Sequence, residues 1–215
     1  MNTGPLLWNR AENAGATLLL AHGAGVGMDS PFMTGIAERL SRRGVSVARF
    51  EFAYMSARRN EGKRRPPPRA DKLSGEYLAA IAAATAERVD GRLLIGGKSL
   101  GGRVAAMVAT EPAVGETVSG VVCLGYPFHP PGQPDSLRLT PLTQARLPVL
   151  VCQGDRDPFG SASEIAGYDL PETVSVAYLE DGDHDFKPRG RSPATWKGNL
   201  ERAADLVAGF AVGLG

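Results

Sequence analysis

The sequence has few of the features that mark several classes of protein. It contains only two cysteines among 215 residues, which is too few for a disulfide framework. It contains only three histidines, so few residues can serve as a catalytic base. Cys123 and Cys152 both lie in apolar, strand-like runs, so we expect buried thiols in a reducing compartment. The formal net charge is +1, which excludes a global field that would attract nucleic acid or an anionic membrane.

Long hydrophobic runs are also missing. Apolar stretches such as residues 16–21 are far too short to cross a bilayer. Residues 1–10 lack the basic start and apolar centre of a signal peptide. We therefore expect a cytoplasmic protein without a membrane partner. With 43% hydrophobic residues, the chain is long enough for one sizeable core, and we predict a single domain over residues 1–215.

What the sequence does contain is an alternation of short apolar runs and alanine-rich stretches. This pattern is typical of a parallel sheet covered by helices on both faces. We predict a three-layer α/β/α sandwich whose mostly parallel sheet has about six strands. The predicted strands cover residues 17–21, 45–52, 92–96, 118–124, 149–153 and 174–179.

Helix signals separate these strands. Ser30 followed by Pro31 predicts a helix that ends at Gly44, and residues 71–89 predict the longest helix. Ser192 followed by Pro193 predicts the start of a C-terminal helix. Residues 58–69 hold six basic side chains and three consecutive prolines, which predicts an exposed, extended insertion. This insertion is either a solvated loop or a feature that attracts a carboxylate or phosphate. It contains no interleaved aromatic residues, so we expect no nucleic-acid partner.

The strongest chemical signal is a G-x-S-x-G element at residues 97–101. It follows a predicted strand and precedes a helical stretch, so Ser99 is a candidate nucleophile on a sharp strand-to-helix turn. Gly97, Gly101 and Gly102 supply the small residues that such a turn requires.

A serine nucleophile needs a base and a group that orients the base. His184 follows the last predicted strand, and Asp157 follows the strand before it. Both are therefore expected at the carboxyl edge of the sheet, where Ser99 also emerges. The chain order Ser, Asp, His is typical of α/β-hydrolases. Asp155 is the rival to Asp157 as the orienting acid, because the two lie in one loop.

Further candidates lie on the remaining loops of this edge. The N–H groups of Leu100 and Ala24 are the predicted oxyanion donors, with Gly25 as the alternative to Ala24. His22 is predicted to shape its turn by bonding the backbone. Four residues either line a substrate pocket or pack as ordinary loop residues: Tyr54, Tyr126, Phe128 and His129.

Three competing interpretations fail on spacing or composition. A P-loop requires glycine where Arg92 stands, and a dinucleotide-binding fingerprint requires glycine where Met28 stands. The acidic residues around His184 lack additional histidines or an EF-hand pattern, which disfavours a metal site. We therefore predict no metal and no organic cofactor.

Together these motifs resemble the α/β-hydrolase superfamily, in particular its small dienelactone-hydrolase-like members. Longer strings are similar to the branch that includes a testis-expressed protein and a subunit of the nonspecific-lethal chromatin complex. These strings are LAHGAG at 20–25, CLGYPFHPP at 123–131 and DGDHDF at 181–186. The resemblance covers residues from about 17 to the C-terminus. It implies a hydrolase fold, and it leaves the substrate open because the chromatin-complex relatives act as scaffold subunits. The chain departs from many members of the superfamily, because we expect it to lack their first two antiparallel strands and to have no helical lid of useful length.

The sequence thus predicts a serine hydrolase acting on an ester, thioester, lactone or related acyl bond of a small molecule. The alternative is a hydrolase-like module that binds a protein partner with little or no turnover.

Overall fold

The structure is a computed structural model that describes residues 4–62 and 66–214. Its centre is a sheet of seven strands in the order β1-β3-β2-β4-β5-β6-β7, as counted over these residues. Among the strand pairs of the described residues, only that of β1 with β3 is antiparallel. The strands are β1 (Leu7–Asn9), β2 (Ala16–Ala21), β3 (Val45–Phe50), β4 (Arg92–Lys98), β5 (Val118–Leu124), β6 (Val149–Gly154) and β7 (Val174–Leu179).

Helices cover both faces of the sheet, as predicted. They are α1 (Pro31–Ser41), α2 (Ala53–Glu61), α3 (Ser74–Ala86), α4 (Leu100–Val108), α5 (Thr140–Thr143), α6 (Ala162–Ile165) and α7 (Trp196–Gly213). Apolar side chains of α1 and α7 form one core with one face of the sheet, and those of α3 and α4 form a second core with the other face. Alternate residues of β2 divide between these cores: Leu18 and Leu20 join the first, and Leu19 joins the second. No helix in residues 4–62 or 66–214 is long and apolar enough to cross a bilayer.

The structure differs from the predicted elements at four places. Residues 71–89 do not form the longest helix, because a 3₁₀ turn precedes α3 and the 18 residues of α7 exceed the 13 of α3. An antiparallel edge strand, β1, was not predicted. The start of the segment expected to be extended is helical, because α2 runs to Glu61, whereas residues 66–69 have no regular structure. Residues 63–65 of that segment lie outside the described residues. The C-terminal helix begins after Thr195, whose side chain caps it, and not after Ser192. The Ser30 cap of α1 is confirmed.

Small residues let α4 approach the sheet closely. A Cβ on Gly101 would lie 2.6 Å from the carbonyl oxygens of Ala21 and His22. A Cβ on Gly102 would lie 2.7 Å from the carbonyl oxygen of Gly97. The expectation that the turn around Ser99 requires glycines is therefore confirmed, and it fixes the start of α4 against β2 and β4.

Gly101→Ala is expected to lower the free energy of unfolding by about 3 kcal/mol, because the new methyl group would overlap backbone that cannot move aside. Gly209→Ala is the matched control, since a Cβ there meets no atom within 4 Å. That change should raise the free energy of unfolding by about 1 kcal/mol, because alanine is the better helix former. Urea unfolding of both variants measures the two effects. A Gly101→Ala variant as stable as the wild type would contradict the close approach.

Candidate active site

Ser99 occupies a strained turn between β4 and α4. Its φ of 51° and ψ of −112° lie in a region that residues with side chains rarely adopt. Its backbone N–H donates to the carbonyl oxygen of Leu124, and its own carbonyl oxygen accepts from the N–H of Arg103. The turn is thus held from the neighbouring strand and from the helix, and it carries Ser99 to the carboxyl edge of the sheet.

His184 and Asp157 meet Ser99 at this edge. The Nε2 atom of His184 lies 2.9 Å from the Oγ atom of Ser99. The Nδ1 atom of His184 lies 2.8 Å from Oδ2 of Asp157, whose side chain is fully buried. A continuous hydrogen-bonded chain therefore runs from a buried carboxylate through an imidazole to a hydroxyl group, with distances in the range of strong hydrogen bonds.

The buried carboxylate of Asp157 has further donors. The backbone N–H of Phe159 donates to Oδ1 at 2.8 Å, and the Nε2 atom of Gln153 donates to Oδ2 at 3.0 Å. These bonds satisfy the oxygen atoms of the buried carboxylate and fix its orientation. Asp155 does not contact His184; its Oδ2 accepts from the backbone N–H of Asp181 at 2.9 Å and thereby fixes the neighbouring loop. The structure thus brings Asp157, and not Asp155, to the histidine.

The loop that carries His184 is braced by its own carboxylates. Oδ1 of Asp183 accepts from the backbone N–H groups of Asp185 and Lys187. Arg189 lowers the pKa of the Asp181 carboxyl group to about 2. Within the described part of the chain, no group of three or more potential ligands is arranged to hold a metal ion. These acidic side chains therefore shape the loop.

The glycine-rich turn after β2 lies on the other side of Ser99. Nδ1 of the buried His22 contacts the carbonyl oxygen of Gly23 at 2.6 Å, and its Nε2 accepts from the N–H of Phe52 at 3.2 Å. Burial lowers the pKa of His22, so the ring is held neutral with its proton on Nδ1. The prediction that His22 shapes its turn is confirmed. Ala24 lies with Ser99 and Leu100 in the wall of one cavity of about 570 Å³.

The four predicted substrate-binding residues lie outside the wall of this cavity, which corrects that interpretation. Tyr126 and Phe128 are fully buried in the core, and the ring of His129 is buried with Nδ1 against the carbonyl oxygen of Pro130. The hydroxyl group of Tyr54 points at the backbone of the glycine-rich turn. The reason is that successive side chains alternate between the core and the cavity: Tyr126 and Phe128 point into the core, so Pro127 between them faces the cavity.

Two contributors to the site were not predicted. Gln153 orients Asp157, and the ring of Phe159 packs on His184 with centroids 4.2 Å apart. A signal for Gln153 exists, since it is a polar residue at the end of an otherwise apolar strand. No comparable signal identifies Phe159, which reaches His184 only through the path of its loop.

Lys98, one residue before Ser99, is an unusual buried cation. Its Nζ lies 3.6 Å from Oδ1 of Asp185 and 5.4 Å from the ring centroid of Phe32, and it has no hydrogen-bond partner in the described residues. Burial lowers the pKa of Lys98 to about 8, and the nearby carboxylates of Asp185 and Asp157 oppose this shift. The folded protein therefore binds the Lys98 proton less tightly than the unfolded chain does.

Lys98→Met should raise the free energy of unfolding at pH 7 by about 3 kcal/mol, because it removes the burial of a charge. The unfolded chain holds this proton up to the ordinary lysine pKa of 10.5, so wild-type stability gains relative to the variant as the pH rises from about 8 to 10.5. The advantage of the variant should therefore shrink over that window. Urea unfolding at pH 7 and pH 10 measures it, with Lys72→Met at an exposed position as control. An advantage independent of pH would contradict the buried cation.

Known structures share this fold. A dienelactone hydrolase from Anabaena variabilis superposes with a TM-score of 0.69 at 21% identity, covering 96% of this chain and 89% of that one. An esterase domain from Rhodothermus marinus superposes with a TM-score of 0.68 at 18% identity, covering 98% of this chain and 93% of that one. An α/β serine hydrolase without a lid, from Xanthomonas campestris, superposes with a TM-score of 0.64 at 17% identity, covering 94% of this chain and 88% of that one. At these identities the likeness establishes the fold.

Family membership has separate support from sequence. The alpha/beta hydrolase domain family matches residues 14–212, which is nearly the whole chain. The matched segment includes Ser99, Asp157 and His184 and all the parallel strands that present them. The chain belongs to the alpha/beta hydrolase domain family.

Proposed function

We propose that the protein is a serine hydrolase that cleaves an ester, thioester, lactone or related acyl bond of a small substrate. The observation that carries the proposal is the contact of His184 with both Ser99 and the buried Asp157, at 2.9 and 2.8 Å. Such a chain lets the imidazole accept the hydroxyl proton while the carboxylate holds the correct tautomer. Membership in a hydrolase family supports the same conclusion.

In the proposed reaction, Oγ of Ser99 attacks the carbonyl carbon and its proton passes to Nε2 of His184. The tetrahedral intermediate collapses, the bond to the leaving group breaks, and His184 returns the proton to the departing alcohol, thiol or other group. A water molecule then attacks the acyl-serine with His184 as base, which releases the acid and restores Ser99. Asp157 stabilises the imidazolium that forms in each half of the reaction.

The negative oxygen of the intermediate requires preorganised donors. Leu100 is the first residue of α4, so its N–H has no acceptor within the helix and lies at the positive end of the helix dipole. Ala24 faces the same cavity from the glycine-rich turn. We propose that the N–H groups of Leu100 and Ala24 form the oxyanion hole.

A fluorophosphonate probe tests the proposal directly, because it reacts far faster with an activated serine than with ordinary side chains. The native protein should be labelled once, on the peptide that contains Ser99, and the heat-unfolded protein should not be labelled. Short 4-nitrophenyl esters should be hydrolysed with release of an acid. A native protein that is neither labelled nor active on such esters would overturn the hydrolase proposal in favour of the protein-interaction alternative.

We further propose that the chain belongs to the branch that includes the testis-expressed protein and the chromatin-complex subunit. Its support is the three strings at residues 20–25, 123–131 and 181–186. Each of them has a structural task at the site. The first forms the turn with Ala24, the second contributes Pro127 to the cavity wall, and the third forms the loop that carries His184.

A further inference from the structure

The cavity beside Ser99 has a cationic wall. Arg103 enters it from α4, one helical turn after Leu100, and Arg138 enters it from the segment that follows β5. Met107 and Phe159 add apolar surface to the same cavity. Its volume of about 570 Å³ is in the range of sites that hold small molecules. The wall therefore combines positive charge with surface suited to a short hydrocarbon chain.

Among the described residues, the two arginines have no anionic partner. Neither forms an ion pair with a described residue within 4.0 Å. Arg69 and Asp71 also line the cavity, but they pair with each other at 3.2 Å, so the carboxylate in the wall already has a cationic partner. The Nε atom of Arg103 is buried without a hydrogen-bond partner in the described residues. Burial and the charge of Arg103 both lower the pKa of Arg138. Two like charges held together in this way are unfavourable unless an anion joins them.

Rigid backbone holds both side chains in place. The N–H of Arg103 donates to the carbonyl oxygen of Ser99 at 3.0 Å, which ties the arginine to the nucleophile turn. The N–H of Arg138 donates to the carbonyl oxygen of Phe128 at 2.7 Å, and the hydroxyl group of Tyr126 donates to the carbonyl oxygen of Arg138 at 2.8 Å. Tyr126 and Phe128 thus support the cavity wall from behind, although they do not line it.

We propose that Arg103 and Arg138 form a carboxylate subsite, and that the substrate is a monoester or monothioester of a short dicarboxylic acid. Guanidinium groups bind planar carboxylates through paired hydrogen bonds, and two such groups can use all the acceptor positions of one carboxylate. The apolar wall holds the methylene chain between the carboxylate and the reacting carbonyl group. This inference rests on the proposed function, because it names the acyl group that Ser99 receives.

Paired esters of equal chain length test the subsite. We expect the native protein to hydrolyse 4-nitrophenyl hydrogen adipate with a kcat/KM at least about 10-fold above that for 4-nitrophenyl hexanoate, the effect of one charge-assisted hydrogen bond. Arg103→Gln and Arg138→Gln should each lower this ratio by about 10-fold or more, and Arg103→Lys should restore part of it. Arg92→Gln is the charge-matched control, because this exposed residue begins β4 at the opposite edge of the sheet. It should leave the ratio unchanged.

A binding measurement separates failure of the subsite from failure of the proposed function. Calorimetry with monomethyl adipate and the Ser99→Ala variant requires no turnover. We expect binding that is weakened about 10-fold or more when Arg103→Gln is added. Absence of binding, or equal binding by both variants, overturns the subsite even if Ser99 is labelled by a fluorophosphonate. A wild-type protein that prefers the neutral ester overturns it as well. Binding without labelling of Ser99 would retain the subsite and reject the hydrolase.

Discussion

Ser99→Ala is expected to reduce kcat/KM for 4-nitrophenyl esters by a factor of about 10⁴ to 10⁶ and to abolish labelling by a fluorophosphonate. Among the described residues, the Oγ atom is the only nucleophile to which His184 is hydrogen-bonded, at 2.9 Å, so its removal leaves oxyanion stabilisation and binding alone. In serine proteases, the turnover that remains without the nucleophile is lower than that of the complete triad by about these factors.

Two companion variants keep this result interpretable. Ser99→Gly has no Cβ to strain the φ of 51°, so it should fold at least as well as Ser99→Ala and lose the same activity. Ser175→Ala, at an exposed position of β7, should retain full activity and labelling. Turnover that survives both changes at Ser99 would eliminate the covalent mechanism.

The second large effect is expected from Asp157→Asn, which should lower turnover by a factor of about 10⁴, as the equivalent change does in serine proteases. An asparagine amide can donate to Nδ1 of His184, which shifts the ring proton to Nε2. The imidazole could then no longer accept a proton from Ser99. The carboxylate is fully buried, so no solvent molecule replaces its role. Steady-state kinetics with the 4-nitrophenyl esters measures the loss.

Asp155→Asn is the matched control for this change. The Oδ2 atom of Asp155 accepts from a backbone N–H, and an asparagine oxygen can do the same. We expect an effect smaller than about 10-fold on turnover, because a hydrogen bond to a charged acceptor becomes one to a neutral acceptor. If Asp155→Asn were the more damaging change, the assignment of the two aspartates would be reversed.

The inner strands were predictable because strands covered on both faces read as apolar runs, and the bounds of β5 were predicted to the residue. The edge strand β1 has three residues with a polar end, which gives no such signal. The helical start of the basic segment was missed because its charges suggest a solvated loop. In the folded protein Arg59 of α2 instead pairs with Asp29, before α1, and with Glu51, after β3, which supports a helix there.

The positions of Ser99, Asp157 and His184 could be predicted for a topological reason. Each follows a parallel strand, and the carboxyl ends of parallel strands share one edge of the sheet. The choice between Asp155 and Asp157 could not be settled in this way, since both lie in one loop. It depends on Gln153 and the N–H of Phe159, which surround one carboxylate and not the other.

By itself, the sequence determined the layered α/β architecture and the edge at which the chemistry is placed, because apolar patterning and strand order act locally along the chain. The wall of the cavity was decided only by tertiary structure. In the segment after β5, neighbouring side chains point in opposite directions: Pro127 faces the cavity, while Tyr126 and Phe128 enter the core. Arg103 and Arg138 share that wall because α4 and a distant loop pack together there. Strand order predicts which loops share an edge of the sheet, but the side chains that line the cavity between them follow from packing, and no local pattern encodes them.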